Sequence, residues 1–298
     1  DEQAENTDLS NLVKTSIKID IPIIEFKNYK DFRCQIYKAI PFFHFLESDL
    51  YYSKEVLPYF YIDKKVNNWQ EYFNRIFNLY AQSLQGHILD VSNGTDEDVA
   101  FFNQFKINID ECSNLWEGHK AINYFRNHFL FQTSDREFIL LNANFLVDKL
   151  FQGVKFDIFN SIFKHGILNK RRKNYSGLPE FLGEIGESFS EPHLLYALMS
   201  KTFVGQCDAI FTGVELKAKR VTAEPDLYIR IGKSLFLFEF KDVTLSDSIR
   251  YSSNIDKITD EICKKICLYT DKKRKGAGQL HYTVEQIVNN HSMDAIDN

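Results

Sequence analysis

Features that mark membrane proteins, secreted disulfide scaffolds and zinc modules are missing from this 298-residue chain. No apolar run reaches the roughly 18 residues of a membrane-spanning helix, and the acidic, polar first residues do not resemble a signal peptide. The five cysteines are scattered and lack Cys-x-x-Cys pairing; Cys263 and Cys267 lie one helical turn apart, but nothing completes a metal site with them. We therefore expect a cytoplasmic protein with reduced cysteines and no membrane partner.

An overall excess of positive charge is also lacking, since the net charge is −5. This excludes the basic signature of proteins that coat nucleic acid without specificity. Positive charge is instead local, in the runs Lys170-Arg171-Arg172-Lys173 and Lys272-Lys273-Arg274-Lys275 and in a looser group at Lys217, Lys219 and Arg220. Single runs of this kind are most often solvated loops.

The N-terminal part is predicted to be mostly helical. An edge strand is expected near Ile17–Phe26, where Pro22 interrupts an alternating apolar pattern. Helical periodicity predicts a helix over Asn67–Gln85 and another over Asn142–Phe151, which Gly153 ends. The basic loop Lys170–Gly177 is the best candidate linker, so we predict a helical N-terminal domain of unknown role over residues 1–172 and a second domain over residues 173–298.

The second domain is predicted to contain strands as well as helices. Gly183–Phe203 is predicted to be helical, as one kinked helix or as two short ones, because Ser190-Glu191-Pro192 resembles a helix start. Strands are expected at Asp208–Thr212 and Val214–Lys219, followed by a hairpin. Two helices, Asn254–Tyr269 and Gln279–Asn289, follow the hairpin.

The hairpin between Asp226 and Lys241 carries the candidate chemistry. Gly232-Lys233 separates two β-rich runs and is typical of a two-residue type II′ turn. If Ile231 pairs with Ser234, Asp226 lies opposite Glu239, with roughly 5 Å between the Cβ atoms. Lys241 then shares their face by period-2 alternation. Leu227, Ile229, Phe236 and Phe238 form an apolar opposite face that is expected to be core.

Two adjacent carboxylates repel each other, and a divalent cation removes this conflict. Carboxylate oxygens suit Mg²⁺ or Mn²⁺, and a neighbouring ammonium can orient a water and stabilise charge on a phosphorane. These residue types therefore indicate metal-assisted phosphodiester hydrolysis. The alternative interpretation is a surface salt bridge at the base of a hairpin.

The pattern Glu-x-Lys occurs three times, and context has to distinguish the copies. Glu25-Phe-Lys27 has its nearest upstream acid, Asp20, on the other strand face. Glu215-Leu-Lys217 follows strands too short to bring Asp208 alongside it. Only Glu239-Phe-Lys241 has a preceding Pro-Asp, a defined turn and a strongly apolar strand.

These residues resemble the PD-(D/E)xK nuclease superfamily, whose motif matches Pro225-Asp226, twelve intervening residues, and Glu239-Phe240-Lys241. The resemblance covers about residues 176–298. It implies metal binding by Asp226 and Glu239, a catalytic Lys241, and an additional acid on the first core helix, for which Glu191, then Glu187, then Glu184 are candidates. It also implies a catalytic Gln279 at the start of the last helix. The family's last core strand has no obvious source here, unless the chain is a fragment of a longer protein or the Ile17–Phe26 strand supplies it.

The fold expected from the resemblance is α+β or α/β. A mostly helical N-terminal half precedes a restriction-endonuclease-like core, which consists of a helix, a mixed sheet around a central hairpin, and flanking helices. Expected nucleic-acid-binding residues come from the two basic runs: Lys272, Lys273, Arg274, Lys275, Arg171 and Arg172.

The leading hypothesis is a Mg²⁺- or Mn²⁺-dependent DNA endonuclease or nickase. Such cores serve restriction, phage defence or repair, as a homodimer or within a larger complex. Two other hypotheses remain open: a non-catalytic nucleic-acid-binding or interaction protein on a nuclease-like scaffold, and a purely structural helical protein. The purely structural helical protein predicts no effect of metal on thermal stability.

Overall fold

A computed structural model describes residues 31–86, 88–112, 119–221, 224–241, 245–250, 252, 254–270 and 273–289. The chain forms two compact units, Asp1–Leu182 and Gly183–Asn298. The division lies ten residues after the boundary predicted at residue 172. The strand predicted near residues 17–26 lies outside the described residues.

The first unit is mostly helical. Its helices are α1 Phe32–Ser48, α2 Leu57–Lys64, α3 Trp69–Ser83, α4 Asp96–Phe102, α5 Ile109–Cys112, α6 His119–Asn127, α7 Ala143–Asp148 and α8 Gln152–Lys164, with a π-helix at Tyr52–Val56 and a 3₁₀ turn at Asn103–Phe105. The predicted helix over Asn67–Gln85 is confirmed as α3, whose N-cap Asn68 accepts a hydrogen bond from the backbone N–H of Glu71. The loop predicted at residues 170–177 is also present.

Gly153 does not end a helix, contrary to the prediction; it lies in the first turn of α8. A Cβ at Gly153 would approach the carbonyl oxygen of Asp148 to 3.0 Å, so a small residue allows the close approach of α8 to the end of α7. The first unit also contains a small antiparallel sheet that the sequence did not predict. Its strands are β1 Ile88–Asp90, β2 Leu130–Ser134 and β3 Glu137–Leu140, in the order β1-β3-β2, and they are too short to give much periodicity.

The core of the first unit combines aromatic packing with a buried ion cluster. Phe43 stacks on Trp69 with ring centroids 5.3 Å apart, as one part of a larger group of buried Phe and Tyr rings. Lys149, at the end of α7, donates hydrogen bonds to both oxygens of Asp157 on α8, at 3.0 and 3.2 Å, and Lys64 at the end of α2 adds a third contact at 3.1 Å. The three helices are thus joined by buried charges that satisfy one another.

The division between the units lies within helix α9 Leu178–Ile185, at the start of a long helical run. The further elements of the second unit are a π-helix Gly186–Tyr196, α10 Ala197–Phe203, β4 Ala209–Thr212, α11 Gly213–Ala218, β5 Leu227–Ile231, β6 Ser234–Phe238, α12 Asp247–Arg250, α13 Ile255–Ile266 and α14 Ala277–Val288. Of the two predicted alternatives for residues 183–203, the structure shows one continuous run. Pro192 lies inside its π-helical part.

The strand predicted over Val214–Lys219 is wrong, because these residues form helix α11. Thr212 caps this helix, and Glu215 completes a capping box by accepting a hydrogen bond from the backbone N–H of Thr212 at 2.8 Å. Glu215 of the second Glu-x-Lys copy therefore has a helix-capping role. The predicted strand at Asp208–Thr212 and the two C-terminal helices are confirmed as β4, α13 and α14.

The sheet of the second unit is an antiparallel meander in the order β4-β5-β6. Its hairpin register is the predicted one, from Ile231 opposite Ser234 to Leu227 opposite Phe238. Gly232 has φ of 57°, as the first central residue of a type II′ turn requires. Among the described strands the sheet is therefore purely antiparallel, where a mixed sheet was expected.

Both faces of this sheet carry apolar residues. On the face that continues to Asp226, Tyr228 packs with Leu216 and Val221, and Ile287 of α14 packs against this cluster. On the other face, Leu227 and Ile229 are fully buried, as predicted, but Phe236 is 46% exposed. The prediction that this whole face is core is therefore wrong at Phe236.

The protein is a mixed α+β structure that is mostly helical, with two small antiparallel sheets. Within the described part of the chain, every helix is too short or too polar to span a membrane.

Candidate active site

Asp226 and Glu239 extend the β5–β6 hairpin by one step beyond its last backbone pair. The ladder ends at Leu227 and Phe238, and the Asp226 side chain then takes over: its Oδ2 accepts a hydrogen bond from the backbone N–H of Phe240 at 2.6 Å. This contact holds the Asp226 carboxylate beside the strand that carries Glu239. The two acids therefore meet where the register places them.

Lys241 joins the two acids. Its Nζ forms an ion pair with Glu239 Oε1 and lies 4.0 Å from Asp226 Oδ2. The Glu239 side chain is only 2% exposed, that of Asp226 19% and that of Lys241 32%. Side-chain exposure thus increases across the cluster, from the buried acid Glu239 to Lys241, which reaches solvent.

Only one of the two carboxylate oxygens of Glu239 has an interaction partner among the described residues. Its Oε1 contacts Lys241, whereas Oε2 is buried and has no hydrogen-bond partner among the described residues. Burial raises the pKa of Glu239 above its usual value, and the charge of Asp226 adds to this increase while Lys241 opposes it. A buried acceptor without a partner is costly, so this oxygen is suited to a proton or a cation.

Glu191 and Glu187 lie on the π-helix Gly186–Tyr196, four residues apart. Burial, together with the charges of Asp226, Glu187 and Glu239, raises the pKa of Glu191 to about 6, against the opposing effect of Lys241. Glu191 therefore belongs to the same electrostatic cluster as the hairpin acids. Glu187 is exposed.

The two carboxylates of the hairpin are not part of a larger ligand set in the described residues. There, no three His, Cys, Asp or Glu side chains lie close enough together to form a metal site by themselves. Asp226 and Glu239 nevertheless match the protein ligands of Mg²⁺, which is commonly held by one or two carboxylates plus waters and phosphate oxygens.

Gln279, in the first turn of α14, lies beside the segment that carries Asp226. Its Nε2 donates a long hydrogen bond of 3.4 Å to the carbonyl oxygen of Glu224. Glu224 lies two residues before Asp226 in the sequence. Close packing fixes the start of α14, because a Cβ at Gly276 or at Gly278 would overlap the carbonyl oxygen of Ile266 or of Leu268. Gln279 thus contacts the backbone near the acids.

The two basic runs lie in different units. Arg171 and Arg172 are in the first unit, where Arg172 pairs with Glu55 at 3.6 Å but stays 73% exposed. In the second unit, Lys273 is exposed and the guanidinium of Arg274 covers the ring of Tyr282 at 3.7 Å. Lys275 is half-buried, and Lys272 lies outside the described residues.

Two residues of the cluster were not predicted from the sequence. Tyr196 ends the π-helix, and the charges of Glu191, Asp226 and Glu239 all act on its hydroxyl. Gly213 donates its backbone N–H to the carbonyl oxygen of Asp226 at 2.7 Å, and a Cβ there would lie 3.1 Å from the carbonyl oxygen of Pro225. Of these two residues, only Gly213 could have been suspected from the sequence, because it directly follows Thr212 at the end of a predicted strand.

Comparison with known proteins gives no match to any family model, any curated protein or any solved structure.

Proposed function

We propose that Gly183–Asn298 is a metal-dependent nuclease unit of the PD-(D/E)xK type that hydrolyses phosphodiester bonds, as a DNA endonuclease or nickase. One observation carries the proposal: a buried glutamate oxygen without a partner among the described residues lies in a cluster where one lysine contacts two acids. A surface salt bridge would leave such an oxygen in water.

The arrangement of elements supports the same proposal. A helical run that carries Glu191 precedes three antiparallel strands, and Asp226 and Glu239 adjoin the central and last strands of this meander. Helices α13 and α14 come next, and α14 packs on the sheet face that leads to the acids. The helix, the central hairpin and the following helices agree with what the resemblance to restriction-endonuclease-like cores implies, whereas the described strands do not include the last core strand of that fold.

The donor set fits Mg²⁺ or Mn²⁺. Asp226 and Glu239 would hold the ion, because both are hard oxygen ligands and Glu239 Oε2 is available. Glu191 would add an outer contact, since it shares the electrostatic cluster. When bound, a divalent cation supplies Lewis acidity at the phosphate and neutralises its charge.

Lys241 has two tasks in this proposal. Its ammonium separates Asp226 from Glu239 and lowers their mutual repulsion. Because it also reaches solvent, it can orient an attacking water and stabilise the charge that grows on the phosphate. The water loses a proton to solvent and its oxygen forms a new bond to phosphorus, while the bond to the leaving deoxyribose oxygen breaks and that oxygen takes up a proton from solvent. The products are a phosphate monoester and an alcohol.

Phosphate contacts outside the centre would come from the basic run before α14. Lys273, Arg274 and Lys275 precede Gln279 closely, and Gln279 contacts the segment before Asp226. The backbone of nucleic acid would then run from these cations toward the acids. Arg171 and Arg172 belong to the first unit, so we assign them a separate contact with nucleic acid.

Plasmid nicking in Mg²⁺ or Mn²⁺ tests the proposal. We expect the parent protein to convert supercoiled DNA to nicked or linear forms, and Asp226→Ala and Lys241→Ala to lower the rate at least about 100-fold, as losses of charge stabilisation typically do. EDTA should abolish the parent's activity.

A matched control is available within the chain. Lys217→Ala removes the lysine of Glu215-Leu-Lys217, which has the same tripeptide pattern but belongs to the capped helix α11. This variant should cleave like the parent. Metal-dependent binding of DNA without cleavage would instead favour the non-catalytic interaction protein, and equal activity of the parent and Asp226→Ala would remove the catalytic assignment.

A further inference from the structure

Tyr196 shares a helix face with Glu187 and Glu191 because the helix is of the π type. The π-helix Gly186–Tyr196 is eleven residues long, and its i→i+5 hydrogen bonds bring residues four and five apart onto one face. Glu187 and Glu191 are four apart, and Glu191 and Tyr196 are five apart. In an α-helix, residues five apart diverge by roughly 140° around the axis, so Tyr196 would point away from Glu191.

The π-helix therefore changes which side chains reach the proposed site. Extended π-helices are rare, and short π segments occur frequently at functional sites. This one contains Pro192, which has no N–H to donate to a helical hydrogen bond. Its effect is to add a phenol to the face that presents the helix acids.

Tyr196 also reaches the loop that positions Asp226. The backbone of Gly213 is close enough to the Tyr196 hydroxyl to lower its pKa, and the same glycine donates its N–H to the carbonyl oxygen of Asp226 at 2.7 Å. A Cβ at Gly213 would lie 3.3 Å from the Asp226 Cα, so the two segments are in close contact. The phenol is thus close to the Gly213 backbone, and the charges of the helix acid Glu191 and the hairpin acid Asp226 both act on it.

We propose that the Tyr196 hydroxyl is a substrate contact of the nuclease site, donating a hydrogen bond to a non-bridging oxygen of the scissile phosphate. The assignment rests on the proposed function. The charged groups of the site are otherwise four acids and one lysine, so a neutral donor supplies what a phosphate anion needs among carboxylates. A phosphate is the ligand class that this donor fits, because the neighbouring acids repel an anion unless donors and a cation offset them.

The hydroxyl keeps its proton under working conditions. Burial, together with the charges of Glu191 and Asp226, raises the pKa of Tyr196 to about 12. It therefore acts as a donor throughout the neutral and mildly alkaline range.

The test compares Tyr196→Phe with the parent and with Tyr59→Phe, which removes an exposed hydroxyl in the first unit. Three quantities are measured on the 298-residue chain: Mn²⁺ affinity by electron paramagnetic resonance, binding of a DNA oligonucleotide in Ca²⁺, and the single-turnover cleavage rate in Mn²⁺. We expect Tyr196→Phe to bind Mn²⁺ like the parent but to cleave about 10- to 100-fold more slowly, as loss of a hydrogen bond to a charged group implies. Tyr59→Phe should match the parent in all three.

Other outcomes separate this inference from the proposed function. An active parent with an equally active Tyr196→Phe variant overturns the phosphate contact and leaves the nuclease assignment in place. A variant that is slow because it has lost Mn²⁺ affinity also overturns it, since Tyr196 would then support the acids rather than the substrate. A parent that binds Mn²⁺ but cleaves no DNA or RNA overturns both.

Discussion

Single residues of the second unit have consequences that can be measured without any substrate. Glu191 is one of them, because burial and nearby acids raise its pKa from 4.5 to about 6. The folded state then binds this proton more tightly than the unfolded state does, so folding is favoured at low pH. The benefit is fully present below pH 4.5 and is lost as the pH rises through 6.

We therefore expect the metal-free protein, kept in EDTA, to lose stability between about pH 5 and pH 7 in a way that Glu191→Gln does not. The difference between the two proteins should be about 1 kcal/mol, since Glu191 is partly exposed and solvent screens its interactions. Urea unfolding at several pH values measures it. Parallel pH profiles for the parent and Glu191→Gln would contradict the assigned environment of Glu191.

Gly278 provides a second residue-scale prediction. A Cβ at this position would overlap the carbonyl oxygen of Leu268, which is backbone and cannot swing aside. Gly278→Ala should cost about 1 to 3 kcal/mol of unfolding free energy, as overpacking does, and should displace Gln279. Urea denaturation measures the cost.

Gly183→Ala is the matched control for this substitution. Gly183 lies in helix α9, and a Cβ added there would have nothing within 4 Å, so alanine should be neutral or stabilise by up to about 1 kcal/mol. Similar losses at both glycines would argue against the close packing of α14.

The acids of the hairpin were predictable from sequence, and Tyr196 was not. A two-residue turn fixes every cross-strand partner, so Gly232-Lys233 was enough to place Asp226 near Glu239. Tyr196 depends on the helix being π rather than α, and apolar periodicity does not distinguish the two. Its position five residues after Glu191 is therefore informative only once the backbone is known.

Among the elements, the error at Val214–Lys219 shows how two local patterns compete. The run has strand-like alternation, but Thr212-x-x-Glu215 is also a capping box, and the box together with Leu216 packing onto Tyr228 produces a helix. The β1-β3-β2 sheet was missed for another reason. Its strands of three to five residues include a pairing over a long sequence separation, which local patterns do not report.

The buried ion cluster gives a prediction at the scale of elements. Asp157 is 4% exposed and holds Lys149 and Lys64, and the charges of these two lysines keep its pKa low despite burial. Asp157→Asn leaves two lysines without their counter-charge and should cost about 3 to 5 kcal/mol. Thermal and urea unfolding measure this loss.

Lys164→Ala is the comparison for that variant. It removes the contact with Asp63, but the Lys164 side chain is 65% exposed, so the loss should stay below about 1 kcal/mol. Equal effects of the two substitutions would show that burial does not determine the strength of these ion pairs.

At the scale of the whole molecule, the two compact units should respond differently to a divalent cation. Binding to the native state stabilises by about 2.7 kcal/mol at a concentration 100 times Kd. If Asp226 and Glu239 hold the ion, hydrogen exchange should slow in β5 and β6 on addition of Mn²⁺ and stay unchanged in β1 to β3 of the first unit. Equal slowing in both sheets, or none in β5 and β6, would contradict a site confined to Gly183–Asn298.

In the proposed site, Asp226 and Glu239 together hold one divalent cation beside Lys241. Electron paramagnetic resonance titration with Mn²⁺ tests it most directly, on the parent, Asp226→Asn, Glu239→Gln and the exposed control Asp260→Asn. We expect one bound Mn²⁺ per chain in the parent and in Asp260→Asn, and a loss of at least about tenfold in affinity in each of the other two, as removal of a ligand charge implies. A parent that binds no Mn²⁺, or hairpin variants that bind it as tightly as the parent, would contradict the account.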